Sequence, residues 1–358
     1  MERFACKTVV VSGEGALSAL GEKKYRRMLV VTEPHREEHI RQITKAAGDP
    51  ETEWFQDVDR EPTMKQAVEG SRWIKEFKPD LVTALGGRNV LDCAKAMVCF
   101  SGISCTLAVI PAVFASGSEV TDRVTLTHHG RRHRLRNEAM RPELAILDSS
   151  LTEKMSGGEI AEGGFELLAN ALEVYAAAGG GLLKDFHARE AFAAGWAALP
   201  AAFAGNESAR HRLMTASVLT GMAMEQTGLG LCRAMENSLG VVFGLSRGRL
   251  AAILLPAIIG CNAHAAGRRY AQLSRAAGMG GSREEIGIRN LKSGLIWLRR
   301  ELGLPGTLVQ AGVDIRSVWN NGKKIVELTL EDPECRNNPV AVDDFMVRRI
   351  LEEITGRI

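Results

Sequence analysis

Short apolar runs rich in β-branched residues punctuate the first 150 residues: Thr8–Val11, Met28–Val31, Leu81–Leu85, Thr106–Ile110, Val124–Leu126 and Ala145–Leu147. Several end in a turn or glycine signal and lead into a segment with apolar residues at helical spacing. Unbroken apolar runs alternating with helices predict a mostly parallel sheet buried on both faces. Beyond Leu151 the strand pattern stops. Leu167, Leu168, Ala171, Leu172 and Tyr175, then Leu213, Val218 and Met222, then Leu291, Ile296 and Leu298 recur at helical spacing. The chain therefore reads as an α/β, parallel-sheet domain over residues 1–151 and an all-helical domain over 152–358. The join falls near Asp148–Gly158, where Ser149, Ser150, Gly157 and Gly158 cluster. The Ala/Gly tract Ala176–Gly181 predicts a helix ended by a glycine cap.

Composition narrows the class. A length of 358 residues allows two domains with a large core and no need of disulfide or metal staples. The balance of 45 basic against 43 acidic residues argues against nucleic acid as the main partner. No run approaches the roughly 20 apolar residues of a bilayer span, and the longest apolar region, Leu250 to Cys261, is interrupted by Pro256. Met1–Lys7 lacks the apolar core of a signal peptide. Seven cysteines without a Cys-x-x-Cys pair read as reduced thiols in a cytoplasm.

Three features of the first half suit a dinucleotide. A carboxylate just past a strand, Glu33, can accept hydrogen bonds from an adenosine ribose and repel a 2′-phosphate, which points to NAD over NADP. Gly86-Gly87 between a strand and a helix lets backbone approach a pyrophosphate at the helix N-terminus. After Pro111, the turn Ser116-Gly117-Ser118-Glu119 opens at the end of another strand, where ligands of open α/β sheets bind. Each feature also has a plainer reading: a tight turn for the glycine pair, a solvated loop carboxylate for Glu33. Gly13-Glu14-Gly15 is too short for a dinucleotide fingerprint and reads as a turn.

With these segments in place the chain resembles the iron-containing (group III) alcohol dehydrogenases, which have the dehydroquinate synthase-like fold. Gly86-Gly87-Arg88-Asn89-Val90-Leu91-Asp92-Cys93-Ala94-Lys95 is similar to the family's Gly-Gly-Gly-Ser-x-x-Asp-x-x-Lys phosphate loop. Gly117-Ser118-Glu119-Val120-Thr121, Pro142 to Leu151, Gly163 to Tyr175, Met235 to Gly240, Arg247-Gly248, Leu254-Leu255-Pro256 and Asn338-Pro339 follow in the family's order. The resemblance implies a dinucleotide-binding domain, a helical domain, an active site in the cleft between them, and a homodimer or larger homo-oligomer. It implies cofactor contacts at Glu33, Gly86, Gly87, Arg88, Asn89, Asp92, Ala112, Val113 and Ser118.

The departures carry as much information. In the family, one Asp and three His hold a divalent metal, the Asp and first His four apart on one helix. Those positions are here Glu166, Asn170, Arg233 and Arg247, and a further active-site His falls at Asn237. None of the eight histidines occupies a site position. Arg has no lone pair for a metal, so no catalytic metal is expected. His128, His129 and His133 lie in a basic stretch, Arg131 to Arg136, that reads as a solvated hairpin loop. In the phosphate loop Arg88 and Asn89 replace Gly and Ser; Ala112-Val113 replaces a Thr-Thr pair and Ala115 a Gly.

Counting Arg233, Arg247 and Glu166 gives one net positive charge, as a dication with one carboxylate would. Two readings follow. In one, the protein is a metal-independent NAD(P)-linked oxidoreductase for a small-molecule substrate. An Arg then polarises the carbonyl of an aldehyde or ketone, or clamps a carboxylate or phosphate on the substrate. In the other, it is a non-catalytic binding or assembly component whose Arg233, Glu166 and Arg247 form a structural ion-pair network.

Overall fold

The structure, a computed structural model, describes residues 6–114, 116–179 and 181–356, which leaves Ala115 outside it. The described chain forms two compact units that change over between Met155 and Ser156.

The first unit runs β1 (Val9–Ser12), β2 (Arg27–Thr32), α1 (Glu37–Ala46), β3 (Glu51–Phe55), α2 (Met64–Phe77), β4 (Leu81–Gly86), α3 (Arg88–Ser101), β5 (Thr106–Pro111), β6 (Arg123–His128), β7 (Arg131–Arg136) and β8 (Leu144–Leu147). Six strands make a wholly parallel sheet in the order β1-β8-β5-β4-β2-β3. The central strands are solidly apolar because helices cover both faces: Val82 and Ala84 pack on one side, Leu81 and Leu85 on the other.

Two local expectations need correcting, and one strand had no expectation at all. The run at Val124–Leu126 is a strand, but it pairs antiparallel with β7 in a separate ribbon. Arg131–Arg136 is strand rather than loop. Only His129-Gly130 turns, with both residues at positive φ, as a two-residue hairpin requires. β3 has no apolar run to announce it, because Glu51, Glu53 and Trp54 lie exposed on the sheet edge.

The second unit holds α4 (Gly157–Ala176), α5 (Leu182–Phe203), α6 (Glu207–Thr227), α7 (Leu231–Phe243), α8 (Arg247–Ala276), α9 (Glu284–Glu301), α10 (Ile315–Glu331) and α11 (Asp344–Thr355). Ser156 caps α4 in a reciprocal capping box with Glu159. The other end of α4 carries no glycine cap. Ala177 turns extended, and the next residue, Ala178, donates its N–H to Asn337 O. By length and composition alone α8 can cross a bilayer, contrary to the expectation drawn from Pro256; 67% of its most apolar window is buried among its neighbours, as in a core helix.

Candidate active site

In the first unit, β4 delivers Gly86 and Gly87 to the start of α3. Gly86 has φ +157°, and a Cβ there would sit 2.7 Å from Val90 Cγ2, so both conformation and space demand glycine. Gly87 is the N-cap of α3 and offers no side-chain oxygen to the first-turn N–H groups. An uncapped N-terminus of a long helix is chemically suited to a pyrophosphate. Around it stand Glu33, Asn89 and Val113: a Cβ on Gly87 would lie 2.8 Å from Asn89 Oδ1, 3.1 Å from Val113 Cγ2 and 3.9 Å from Glu33 Oε1. Ala112 is packed into the core.

The side chains of this loop are bound to one another. Asn89 Nδ2 donates to Glu33 Oε1 and to Asp59 O, both at 3.3 Å, and Arg36 lies 3.6 Å from the other Glu33 oxygen. Arg88 Nε donates to Asp92 Oδ2 at 3.3 Å. Asp92 also accepts from Ser118 Oγ at 2.6 Å and Thr125 N at 3.0 Å. Lys95 is fully buried, and its ammonium donates to Ser118 O, Ser118 Oγ, Thr121 Oγ1 and Arg123 O at 2.7–3.3 Å. Asp92, Lys95 and Ser118 thus form an internal network that fastens α3 to the Ser118 turn and β6.

In the second unit, α4, α7 and α8 bring together the five residues that the resemblance sets at family site positions. Glu166 and Asn170 are one turn apart on α4, Arg233 and Asn237 one turn apart on α7, and Arg247 opens α8. Arg233 Nη2 donates to Asn170 Oδ1 at 2.6 Å and to Glu166 Oε1 at 3.2 Å. Arg247 Nη1 lies 4.0 Å from the same Glu166 oxygen, and Arg247 Nη2 donates to Asn237 Oδ1 at 3.4 Å. Asn237 in turn donates to Asp332 at the end of α10 at 2.8 Å. Arg233 is 4% exposed, and its Nη1 is buried with no hydrogen-bond partner among the described residues.

Two acids here are absent from the sequence count. Glu236 is 1% exposed, with an oxygen 3.4 Å from Arg233 Nε. Glu173 accepts the backbone N–H groups of Cys232 at 2.6 Å and Arg233 at 3.1 Å. Two guanidiniums therefore meet three carboxyl groups, so the net charge of the site depends on how far the two added acids are ionised. Burial pushes Glu236 up to about 8, although Arg233 pulls it down. Burial likewise pushes Glu173 up to about 7, against the N–H groups of Cys232, Gly230 and Arg233. Burial penalises the Arg233 cation, but Glu236 and Glu166 more than offset this and leave its pKa raised. Sequence periodicity held a signal for both acids. Glu236 lies three residues after Arg233, and Glu173 three after Asn170, on the same helix faces.

This chemistry sets a pH dependence. A buried carboxyl with a raised pKa holds its proton more tightly folded than unfolded, so its stabilising contribution is present at low pH and lost as pH climbs through the folded value. Tm is expected to fall between pH 5 and pH 9, through the region of about 7 to 8 where Glu173 and Glu236 release protons. Glu236→Gln should flatten that slope in thermal melts at stepped pH. An unchanged slope would remove Glu236 as a source.

These residues do not fit a divalent cation. Guanidinium nitrogens carry no lone pair, and Arg233 already spans Glu166 and Asn170, the only oxygen donors among Glu166, Asn170, Arg233 and Arg247. Among the described residues no cluster of three or more His, Cys, Asp or Glu can hold an ion, the hairpin histidines included.

The chain belongs to the iron-containing alcohol dehydrogenase family: the family's iron-containing alcohol dehydrogenase model matches residues 7–149 and its C-terminal model residues 160–355. It is similar to the 1-propanol dehydrogenase PduQ of Citrobacter freundii, 29% identical over 99% of this chain and 100% of that one. The iron-containing alcohol dehydrogenase of Thermococcus thioreducens superposes with a TM-score of 0.91 at 25% identity, covering 98% of this chain and 99% of that one. A sulfoacetaldehyde reductase of Bifidobacterium kashiwanohense, solved with NAD+, shares the fold at TM-score 0.90 and 20% identity, over 99% of both chains.

Proposed function

We propose that this protein is an NAD(P)-dependent oxidoreductase of small aldehydes and alcohols that works without a catalytic metal. Family membership and the alcohol dehydrogenase activity named for its relatives support the reaction class. The observation that carries the metal-free part is Arg233 donating to both Glu166 and Asn170, with Arg247 beside the same carboxylate. A nicotinamide cofactor, when bound, supplies or accepts a hydride at the carbonyl carbon. Its pyrophosphate fits the uncapped start of α3 beside Gly86 and Gly87, and Glu33 favours a free ribose diol over a 2′-phosphate.

The remaining work falls to the chain itself. Arg233 is held by its partners and substitutes structurally for an ion. Among the described residues Arg247 has only long contacts, so its guanidinium is the group that can donate to a carbonyl oxygen and to the alkoxide that hydride addition leaves there. Arg247 and Asn237 do not give up protons at neutral pH, so water supplies the one that completes the alcohol.

Elemental analysis and a fluorescence titration with NADH and NADPH test this. The expected result is iron and zinc far below one per chain and micromolar binding of NADH, weaker for NADPH. A stoichiometric metal would remove the guanidinium substitution. No binding of either nucleotide at millimolar concentration would remove the oxidoreductase and leave a second reading, a non-catalytic relative. The ties of Arg88 to Asp92 and of Asn89 to Glu33 favour that second reading, since they can close the phosphate loop from within.

A further inference from the structure

The start of α7 presents an unusual problem. Its N-cap is Gly230, which brings no side-chain oxygen, yet Leu231, Cys232 and Arg233 are all buried. The first N–H groups of a helix have no intrahelical acceptor, and leaving them unpaired away from water is costly. Glu173, on the last turn of α4, provides the acceptor. Its Oε1 takes the Cys232 N–H and its Oε2 the Arg233 N–H. A carboxylate at that end also meets the positive pole of the helix. Glycine at 230 makes room: a Cβ there would stand 2.8 Å from Glu173 Oε1 and 3.4 Å from Asn338 Oδ1.

The surrounding loop is fastened in the same style. Glu334 Oε2 accepts the Leu229 N–H at 2.9 Å, and Asn262 and Asn338 exchange two side-chain hydrogen bonds at 2.9 Å each. Glu173 shares a face of α4 with Glu166 and Asn170, seven and three residues earlier. That one face therefore grips Arg233 twice: Glu173 holds its backbone, while Glu166 and Asn170 hold its guanidinium. Arg233 N–H is the second of the two amides, so any shift of the helix start displaces the guanidinium directly. Asn237, one turn further along α7, touches Arg247.

We infer that Glu173 is a positioning residue, a helix cap supplied from α4 that sets the location of Arg233 and, through α7, of Asn237 beside Arg247. This rests on the proposed function for its kinetic readout alone; the structural readout needs no turnover.

The test is hydrogen–deuterium exchange of the full chain, wild type against Glu173→Gln, followed by peptides spanning 229–236. Glutamine replaces one of the two acceptor oxygens by an NH2 group, which leaves one of the two N–H groups unpaired and should speed exchange there by about tenfold or more, with α5 and α9 unchanged. Gly230→Ala keeps the acid but crowds it, and should show the same local acceleration; it decides the matter if Glu173→Gln does not fold. With a turned-over aldehyde, Glu173→Gln should lower kcat by about tenfold or more and leave KM for the nucleotide unchanged. A loss of general stability would instead raise exchange in every helix. Unchanged exchange at 229–236 in the variants, uniform acceleration throughout, or unprotected Cys232 and Arg233 amides in wild type would each overturn the inference. Absence of turnover in wild type would count against the proposed function and leave the exchange result to stand alone.

Discussion

Arg233→Ala is expected to destabilise the helical unit by about 3–5 kcal/mol, the range for removing one partner of a buried ion pair. The guanidinium is 4% exposed and faces Glu166, Asn170 and Glu236. Its removal leaves Glu236, among the described residues, with the weak donor Cys232 Sγ at 3.5 Å, so this buried acid must hold its proton or bear an unpaired charge. It also opens a void where a long side chain crossed from α7 to α4. Adding Glu236→Gln should recover part of the loss, most of it above about pH 8, where the unpartnered acid would otherwise ionise. Denaturant unfolding followed by circular dichroism reads both effects. A single variant within about 1 kcal/mol of wild type would show that Arg233 is not the compensating charge of this cluster.

Arg247→Ala addresses chemistry rather than folding. Its contacts are a 4.0 Å approach to Glu166 and a 3.4 Å hydrogen bond to Asn237, weaker than those of Arg233, so its loss should cost little stability. If it donates to the developing alkoxide, kcat/KM for aldehyde reduction should fall about 10²–10³-fold, the usual effect of deleting such a donor. Affinity for NADH should stay where it was, since the predicted nucleotide contacts belong to the other unit. Arg247→Lys should recover only part of the rate, because an ammonium lacks the planar fork. Steady-state kinetics on a panel of small aldehydes, with and without a carboxylate or sulfonate, checks the role. Unchanged kcat/KM across the panel would exclude it.

The contrast between the two arginines explains what was legible beforehand. Both positions follow from spacing within motifs, and a guanidinium cannot ligate a metal in any fold. The division of labour between them came from packing: α7 buries Arg233 against α4, while Arg247, at the first turn of α8, stays partly exposed. Lys95 and Asp92 show the same limit. Their spacing on α3 matches the family loop, but only the folded chain turns them inward onto Ser118, Thr121 and Arg123.

Strands β2, β4, β5 and β8 could be read from the sequence because burial on both faces demands unbroken apolar runs, a local and additive requirement. The helical character of the second unit followed from periodicity for the same reason. β3 and β7 escaped because strands at an edge or in an exposed ribbon need no apolar face. By itself the sequence determined the α/β and helical architecture and the family, and it raised the expectation that arginine, glutamate and asparagine stand where the family has metal ligands. Only the tertiary structure decided that Glu236 and Glu173 join those residues, that Asp332 holds Asn237, and that the charge of the site depends on pH. Charge in a buried site depends on which helices pack together and how far each group is from water, and no local pattern along the chain encodes either.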